Sequence, residues 1–84
     1  MELLSVSRNS GTVESVRNQF AANLRQHRNR AGLSQEALAA ICDLHRTEIS
    51  LLERCKRSPR LEPIVILARG LGLGSAGELL KGIK

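Results

Sequence analysis

Residues 34–53 read SQEALAAICDLHRTEISLLE, and they determine the fold more than any other part of the chain. Ser34 is a typical helix N-cap, because its hydroxyl can accept a hydrogen bond from a free N–H of the first turn. Asp43 ends this first helix and tolerates the left-handed conformation that a tight turn needs. A second helix is predicted from about residue 46 to residue 54. The sequence therefore predicts two short helices joined by a tight turn.

Three apolar side chains set how these two helices would pack. Ala39 is small and lies where the helices would cross closely, Leu44 would plug the turn into the core, and Ile49 would pack the second helix back. Residues 46–48, 50 and 51 would then face outward. Two helices with this connection are a helix-turn-helix candidate.

Outside this pair, the sequence predicts three further short helices. Apolar residues three or four positions apart over residues 13–24 predict the first of them. Another is expected over residues 61–71, with Pro63 in its first turn, where a missing N–H is harmless. Ser75 and Glu78 form a capping box that opens the last one. No stretch alternates β-branched and polar residues, so the expected fold class is all-α, with five short helices.

The chain has 84 residues, a length that suits one small domain. Residues 1–11 contain three serines, an asparagine and a glycine without sustained periodicity, and we expect a flexible N-terminal arm there. Residues 12–84 are expected to form one helix-turn-helix domain, with the helix pair at about 34–54. No apolar run approaches the roughly 18 residues of a membrane span, and no signal peptide is recognisable. The expected location is the cytoplasm, without a membrane partner.

The charge of the chain indicates an anionic partner. The net charge is +5, and residues 24–60 carry eight Lys or Arg against four Asp or Glu, which is +4 of that total. Nucleic acid is the first candidate for such a partner. The single aromatic residue argues against single-stranded nucleic acid, because proteins bind it by stacking bases on exposed rings.

The sequence offers no enzyme chemistry. It contains no paired carboxylates, no nucleophile with a base, and no metal-ligand spacing among Cys42, Cys55 and the two histidines. The glycine-rich residues 70–74 follow a helix rather than a strand, so they do not predict a phosphate-binding loop. We therefore expect no catalytic residue, no cofactor, no metal and no small-molecule ligand.

Residues 24–71 contain a set of small, apolar and polar positions, namely Gly32-Leu33-Ser34-Gln35, Leu38-Ala39, Ile49-Ser50, Glu53-Arg54, Pro59, and Leu67-Ala68 with Leu71. With these residues, the stretch resembles the phage-repressor or Cro-like (Xre-type) helix-turn-helix family. Within it, residues 45–50 look most like small bacterial regulators, including restriction–modification controller proteins. The resemblance implies a lambda-repressor-like fold and sequence-specific binding of double-stranded DNA by a transcriptional regulator.

The family places the second helix of the pair, the recognition helix at about 46–54, in the DNA major groove. There Arg46 could bind guanine O6 and N7, and Thr47 could contact a thymine methyl. Glu48 could accept from cytosine N4 or be solvated near the positive helix end. Ser50 would face the same groove or the DNA backbone.

The resemblance also implies contacts to the DNA backbone and one internal ion pair. In the family the residue matching Gln35 contacts the DNA backbone and braces the recognition helix, and the helix end at Ser34 suits a phosphate. Arg28 and Glu53 match an ion pair that ties two helices together. Cys55 stands where the family often has glycine after the recognition helix, so a left-handed residue is expected there. Four loop residues are expected along the phosphates, namely Lys56, Arg57, Ser58 and Arg60.

The C-terminal part has more apolar residues than a small monomer needs, which predicts an interface. The family makes its homodimer there, and a two-fold dimer would read an inverted repeat with recognition helices about 34 Å apart. The alternative is that these residues only close the monomer core. A different alternative for the whole chain is an antitoxin-type module that binds a toxin partner and its own promoter. The predicted interface residues are Ile66, Leu71, Leu73, Leu79, Leu80 and Ile83.

Overall fold

The computed structural model describes the backbone of residues 2–84 and the side chains of residues 13–84. Over this part, the chain forms four α-helices and one 3-10 helix, and no β-strand. The all-α prediction is confirmed, although the last helix is a 3-10 helix rather than an α-helix. The elements are α1 (Glu2–Arg30), α2 (Gln35–Cys42), α3 (Arg46–Glu53), α4 (Leu61–Gly70) and the 3-10 helix (Ala76–Leu80).

Helix α1 begins at Glu2, well before the start near residue 13 that the sequence predicts. The apolar spacing over residues 13–24 marks only the part of a helix that packs on a core, so it does not locate the helix start. The predicted flexibility of the arm at residues 1–11 stays a prediction. Residue 1 and the side chains of residues 2–12 lie outside the described residues.

All four α-helices end in the same kind of turn. One residue after each helix has a positive φ, and the next N–H donates to a carbonyl five residues earlier at 2.9–3.1 Å, which is a Schellman motif. Asp43 and Cys55 adopt φ of 56° and 62°, so both take the left-handed conformation expected of them. The positive-φ residues are Gly32, Asp43, Cys55 and Gly72.

The hydrophobic core draws side chains from every helix. Leu79, from the 3-10 helix, is wholly buried in it, so this predicted interface residue offers no surface to a partner. Composition alone could not separate it from the surface leucines nearby. The largest fully buried side chains are Phe20, Leu24, Leu38, Ile49, Leu52, Leu67 and Leu79.

Helices α2 and α4 approach each other closely at Gly70. A Cβ at this position would collide with Cys42 Sγ, so the glycine is what permits the contact. The Cys42 thiol lies 3.7 Å from the Ile66 carbonyl oxygen, and burial raises the pKa of this thiol. Cys42 is therefore a packed, protonated core residue.

The C-terminal segment is held against α1 by a buried amide. Asn23 Nδ2 donates to the carbonyl oxygens of Leu79 at 2.9 Å and Lys81 at 2.8 Å. Asn23 Oδ1 in turn accepts from Gln19 Nε2 at 3.0 Å. This anchor fixes where the residues after α4 lie.

Candidate nucleic-acid interface

Glu53, the last residue of α3, is a buried carboxylate that joins three helices. Arg28 of α1 makes a bidentate ion pair with it, Nε to Oε2 at 2.6 Å and Nη2 to Oε1 at 3.0 Å. Gln35 of α2 donates from Nε2 to Oε1 at 3.0 Å. We call Arg28, Gln35 and Glu53 the polar hub. It fixes α3 against both α1 and α2.

Two further hydrogen bonds from α1 tighten this arrangement. Arg28 Nη1 donates to the Leu33 carbonyl at 2.9 Å, and Arg25 Nη1 donates to the Glu53 carbonyl at 2.9 Å. The hydrogen bond to Glu53 raises the pKa of Arg28, its charge adds to that effect, and burial opposes it. The guanidinium therefore stays charged beside its carboxylate.

Helix α3 presents its first turn to solvent. Arg46 and Thr47 are exposed, and Glu48 and Ser50 are partly exposed, whereas Ile49 and the following turn pack into the core. The structure thus brings the four residues predicted to contact bases together on the outward side of α3. His45 occupies the N-cap without a side-chain cap bond, which leaves N–H groups at this helix end for solvent or a ligand.

The N-terminus of α2 lies at the other end of the helix pair. Ser34 Oγ accepts from the Ala37 N–H at 3.0 Å, so the predicted N-cap is present. Its hydroxyl proton remains a possible donor. The Gln35 side chain is turned toward Glu53, to which it donates, in the bracing position that the family resemblance implies.

The loop of residues 54–60, which we call the basic loop, connects α3 to α4. Arg54, Lys56, Arg57 and Arg60 are exposed in it. Ser58 is partly buried, and its Oγ accepts from Arg17 Nε at 2.8 Å. The basic loop therefore presents four cations, and its one hydroxyl is held against α1.

Sequence reasoning missed Arg17 and Arg25 because their partners lie far along the chain. A weak signal exists. Arg17, Arg25 and Arg28 recur at spacings that place them on one side of a helix, the side that meets α3 and the basic loop. Spacing alone could not show whether these arginines bond to other parts of the fold or form a basic face in solvent.

The residues predicted to form the dimer interface differ in how far they are exposed. Leu80 is 39% exposed, and Ile66, Leu71, Leu73 and Ile83 are partly buried against the core. Among the side chains of residues 13–84, the most exposed large apolar ones, Leu61 at 72% and Ile41 at 55%, lie outside that set.

Two kinds of feature are absent from the part of the chain that the structure describes. No three His, Cys, Asp or Glu side chains lie together there as a metal site. None of the described helices has the combination of length and apolar character needed to cross a bilayer.

Comparison with known proteins gives a family. A family described as a helix-turn-helix domain matches residues 19–80. The control protein C.SmaI of Serratia marcescens is 48% identical over 52 residues, which are 62% of this chain and 62% of that protein. The control protein C.BamHI of Bacillus amyloliquefaciens is 42% identical over 60 residues, or 70% of this chain and 74% of that protein.

A solved structure agrees with these matches. The crystal structure of the restriction-modification controller protein C.AhdI from Aeromonas hydrophila has a TM-score of 0.71 and 36% identity, and it covers 75% of this chain and 94% of that chain. The match to the Serratia protein spans less than two thirds of either chain. Because the helix-turn-helix family covers most of the sequence, and the fold agrees with a solved relative, this chain belongs to the Cro-like (Xre-type) helix-turn-helix family.

Proposed function

We propose that this protein is a sequence-specific transcriptional regulator that binds double-stranded DNA as a homodimer on an inverted repeat. The observation that carries the proposal is the setting of α3. Its outward first turn presents Arg46 and Thr47, while its last residue, Glu53, is locked to α1 and α2. A helix held at one end and exposed at the other can enter a major groove in a fixed orientation.

The exposed residues of α3 supply the chemistry that reads base edges. Arg46 offers two parallel donors that match guanine O6 and N7, and Thr47 offers a hydroxyl and a methyl group. Glu48 can accept from cytosine N4, and Ser50 can contact a base or a phosphate. Because these side chains favour different bases, we expect the protein to prefer a defined DNA sequence.

Backbone contacts would come from both sides of α3. Ser34 and Gln35 stand at the N-terminus of α2, where free N–H groups favour a phosphate. On the other side, the basic loop presents Lys56, Arg57 and Arg60. Such contacts give affinity to any sequence and make binding fall with salt.

Dimerisation is assigned to the second half of α4 and the residues after it, with one change from the set that the sequence predicts. Leu79 is omitted because it lies inside the monomer core. The anchor at Asn23 holds this segment in place against α1. A two-fold pair of such segments would set two recognition helices about one DNA turn, or roughly 34 Å, apart. The proposed interface comprises Ile66, Leu71, Leu73, Leu80 and Ile83.

The relatives suggest the biological setting. They are named as control proteins, and one as a restriction-modification controller protein. We extend the controller role to this chain, in the cytoplasm, in preference to the antitoxin-type alternative and to any enzymatic role. Operator binding can repress or activate, so the direction of regulation is left open.

The stoichiometry of binding tests the proposal. Fluorescence anisotropy, with a labelled duplex held well above its Kd, should reach saturation at two protomers per inverted repeat. Saturation at one protomer per duplex would contradict the dimer. Equal affinity for all duplexes would contradict sequence-specific binding.

A further inference from the structure

The basic loop has few backbone bonds of its own. The N–H groups of Cys55 and Lys56 donate back to α3, to Leu52 O at 3.2 Å and Leu51 O at 2.9 Å. At the other end, Arg60 O accepts from the Ile64 N–H at 3.1 Å. Between these bonds, within the described residues, residues 57–59 make no backbone–backbone hydrogen bond. The middle of the loop therefore depends on side chains for its position.

One side-chain hydrogen bond holds this middle part. Arg17 Nε donates to Ser58 Oγ at 2.8 Å, and both side chains are partly buried. Arg17 lies on the part of α1 that packs into the core through Phe20 and Leu24. Arg17 is therefore held in place by the packing of α1. Its hydrogen bond holds Ser58, which directly follows Arg57.

We propose that Arg17 is a positioning residue that holds the basic loop in the conformation that meets the DNA phosphates. This role rests on the proposed DNA binding. Ordering a loop and its long cationic side chains at the moment of binding costs free energy, and ordering them beforehand avoids part of that cost. Arg17 supplies this order through a hydrogen bond whose donor group is charged.

Two direct roles would give different results from the positioning role. Arg17 could itself bind a phosphate, and Ser58 could donate its hydroxyl proton to one. In either case the two side chains would contribute independently to affinity. In the positioning role they act through one shared bond, so losing either partner has the same consequence.

A double-mutant cycle separates these cases. Arg17→Lys keeps the positive charge but places a methylene where Nε stood, and Ser58→Ala removes the acceptor without changing charge. Each single variant should weaken binding to the inverted repeat about three- to tenfold, and the double variant should be no weaker than either. Ser58→Thr, which keeps the hydroxyl, should bind as the unaltered protein does. Arg69→Lys, at the far end of α4 from the loop, is the control.

Amide hydrogen exchange of the free protein gives a reading that does not depend on DNA. Arg17→Lys and Ser58→Ala should both speed exchange within the basic loop, while exchange in α3 stays unchanged. Additive losses in the cycle, normal binding by both single variants, or unchanged loop exchange would overturn the positioning role. Absence of DNA binding by the unaltered protein would instead overturn the proposed function itself, and this role with it.

Discussion

Gln35 Nε2 donates to Glu53 Oε1 at 3.0 Å, so the first residue of α2 is bonded to the last residue of α3. At the opposite end of the pair, the turn after α2 is closed by the Leu44 N–H to the Ala39 carbonyl at 2.9 Å. A side-chain hydrogen bond therefore joins the two helices at one end, and a hydrogen-bonded turn connects them at the other. Arg28 donates two further hydrogen bonds to the Glu53 carboxylate and extends this tie to α1. The orientation of the recognition helix is set by polar bonds as well as by apolar packing.

Glu53→Gln should destabilise the fold, because it keeps the side-chain shape but leaves the Arg28 charge without its partner. Removing one member of a buried ion pair costs about 3 kcal/mol of unfolding free energy, measurable by urea denaturation. Glu36→Gln, at an exposed position in the first turn of α2, is the control and should cost less than about 1 kcal/mol. Equal losses in the two variants would show that the polar hub does not stabilise the fold.

Gly70→Ala should also destabilise, although alanine favours a helix more than glycine does. The new Cβ would collide with Cys42 Sγ and push α2 away from α4, and overpacking of this kind costs about 1–3 kcal/mol. Adding Cys42→Ala should restore much of the loss by removing the colliding atom. Gly74→Ala meets nothing within 4 Å and should be nearly neutral. A stable Gly70→Ala protein would mean that the helices do not approach this closely.

The two thiols should react with a thiol reagent at different rates. Cys55 is partly exposed and should be labelled quickly, whereas Cys42 is buried and should react only as the protein unfolds. Comparing Cys42→Ala and Cys55→Ala assigns the fast and slow phases. Two equally fast phases would contradict the packing of Cys42.

The raised pKa of Cys42 also predicts a pH dependence. Above the ordinary thiol value of about 9, the unfolded chain loses a proton that the folded chain still holds, so stability should fall as pH rises further. Below that value Cys42 should contribute no pH dependence. The measurement is the unfolding free energy as a function of pH, and Cys42→Ala should flatten part of its alkaline fall. An identical alkaline fall in both proteins would contradict this assignment.

Arg57→Ala should weaken binding to specific and non-specific DNA alike. Because each protomer would bind one phosphate fewer, the slope of log affinity against log salt should fall by about one per protomer. Anisotropy titrations over a range of salt concentrations measure this slope. Arg69→Ala removes an equal charge away from the basic loop, so its slope should stay close to that of the unaltered protein. If Arg57→Ala left the slope unchanged, Arg57 would not bind a phosphate.

The parts of the fold that local signals govern were predictable. The hydroxyl of Ser34, the left-handed turn at Asp43 and the capping Ser75 all act within a few residues, and they located α2, α3 and the last helix. The outward placement of Arg46 followed from the helical period, because Ile49 had to face the core.

The remaining features depend on distant partners. Asn23 bonds to carbonyls near the C-terminus, and Arg17 bonds to Ser58 across 41 positions, so no local pattern identifies the partner of either residue. Leu79 shows the same limit for apolar residues. A leucine that closes a monomer core and a leucine that meets a partner look alike in sequence, and only the packing distinguishes them.

The most direct test of sequence-specific binding through α3 is the selection of binding sites from random duplex DNA at about 150 mM salt. The unaltered protein and Arg46→Ala are used in parallel. The unaltered protein should enrich an inverted repeat with half-sites about one turn apart. Arg46→Ala should lose about 1–3 kcal/mol of preference at one symmetric pair of positions and keep the rest. Failure of the unaltered protein to enrich any motif would contradict sequence-specific binding, and an unchanged motif with Arg46→Ala would contradict the role given to Arg46.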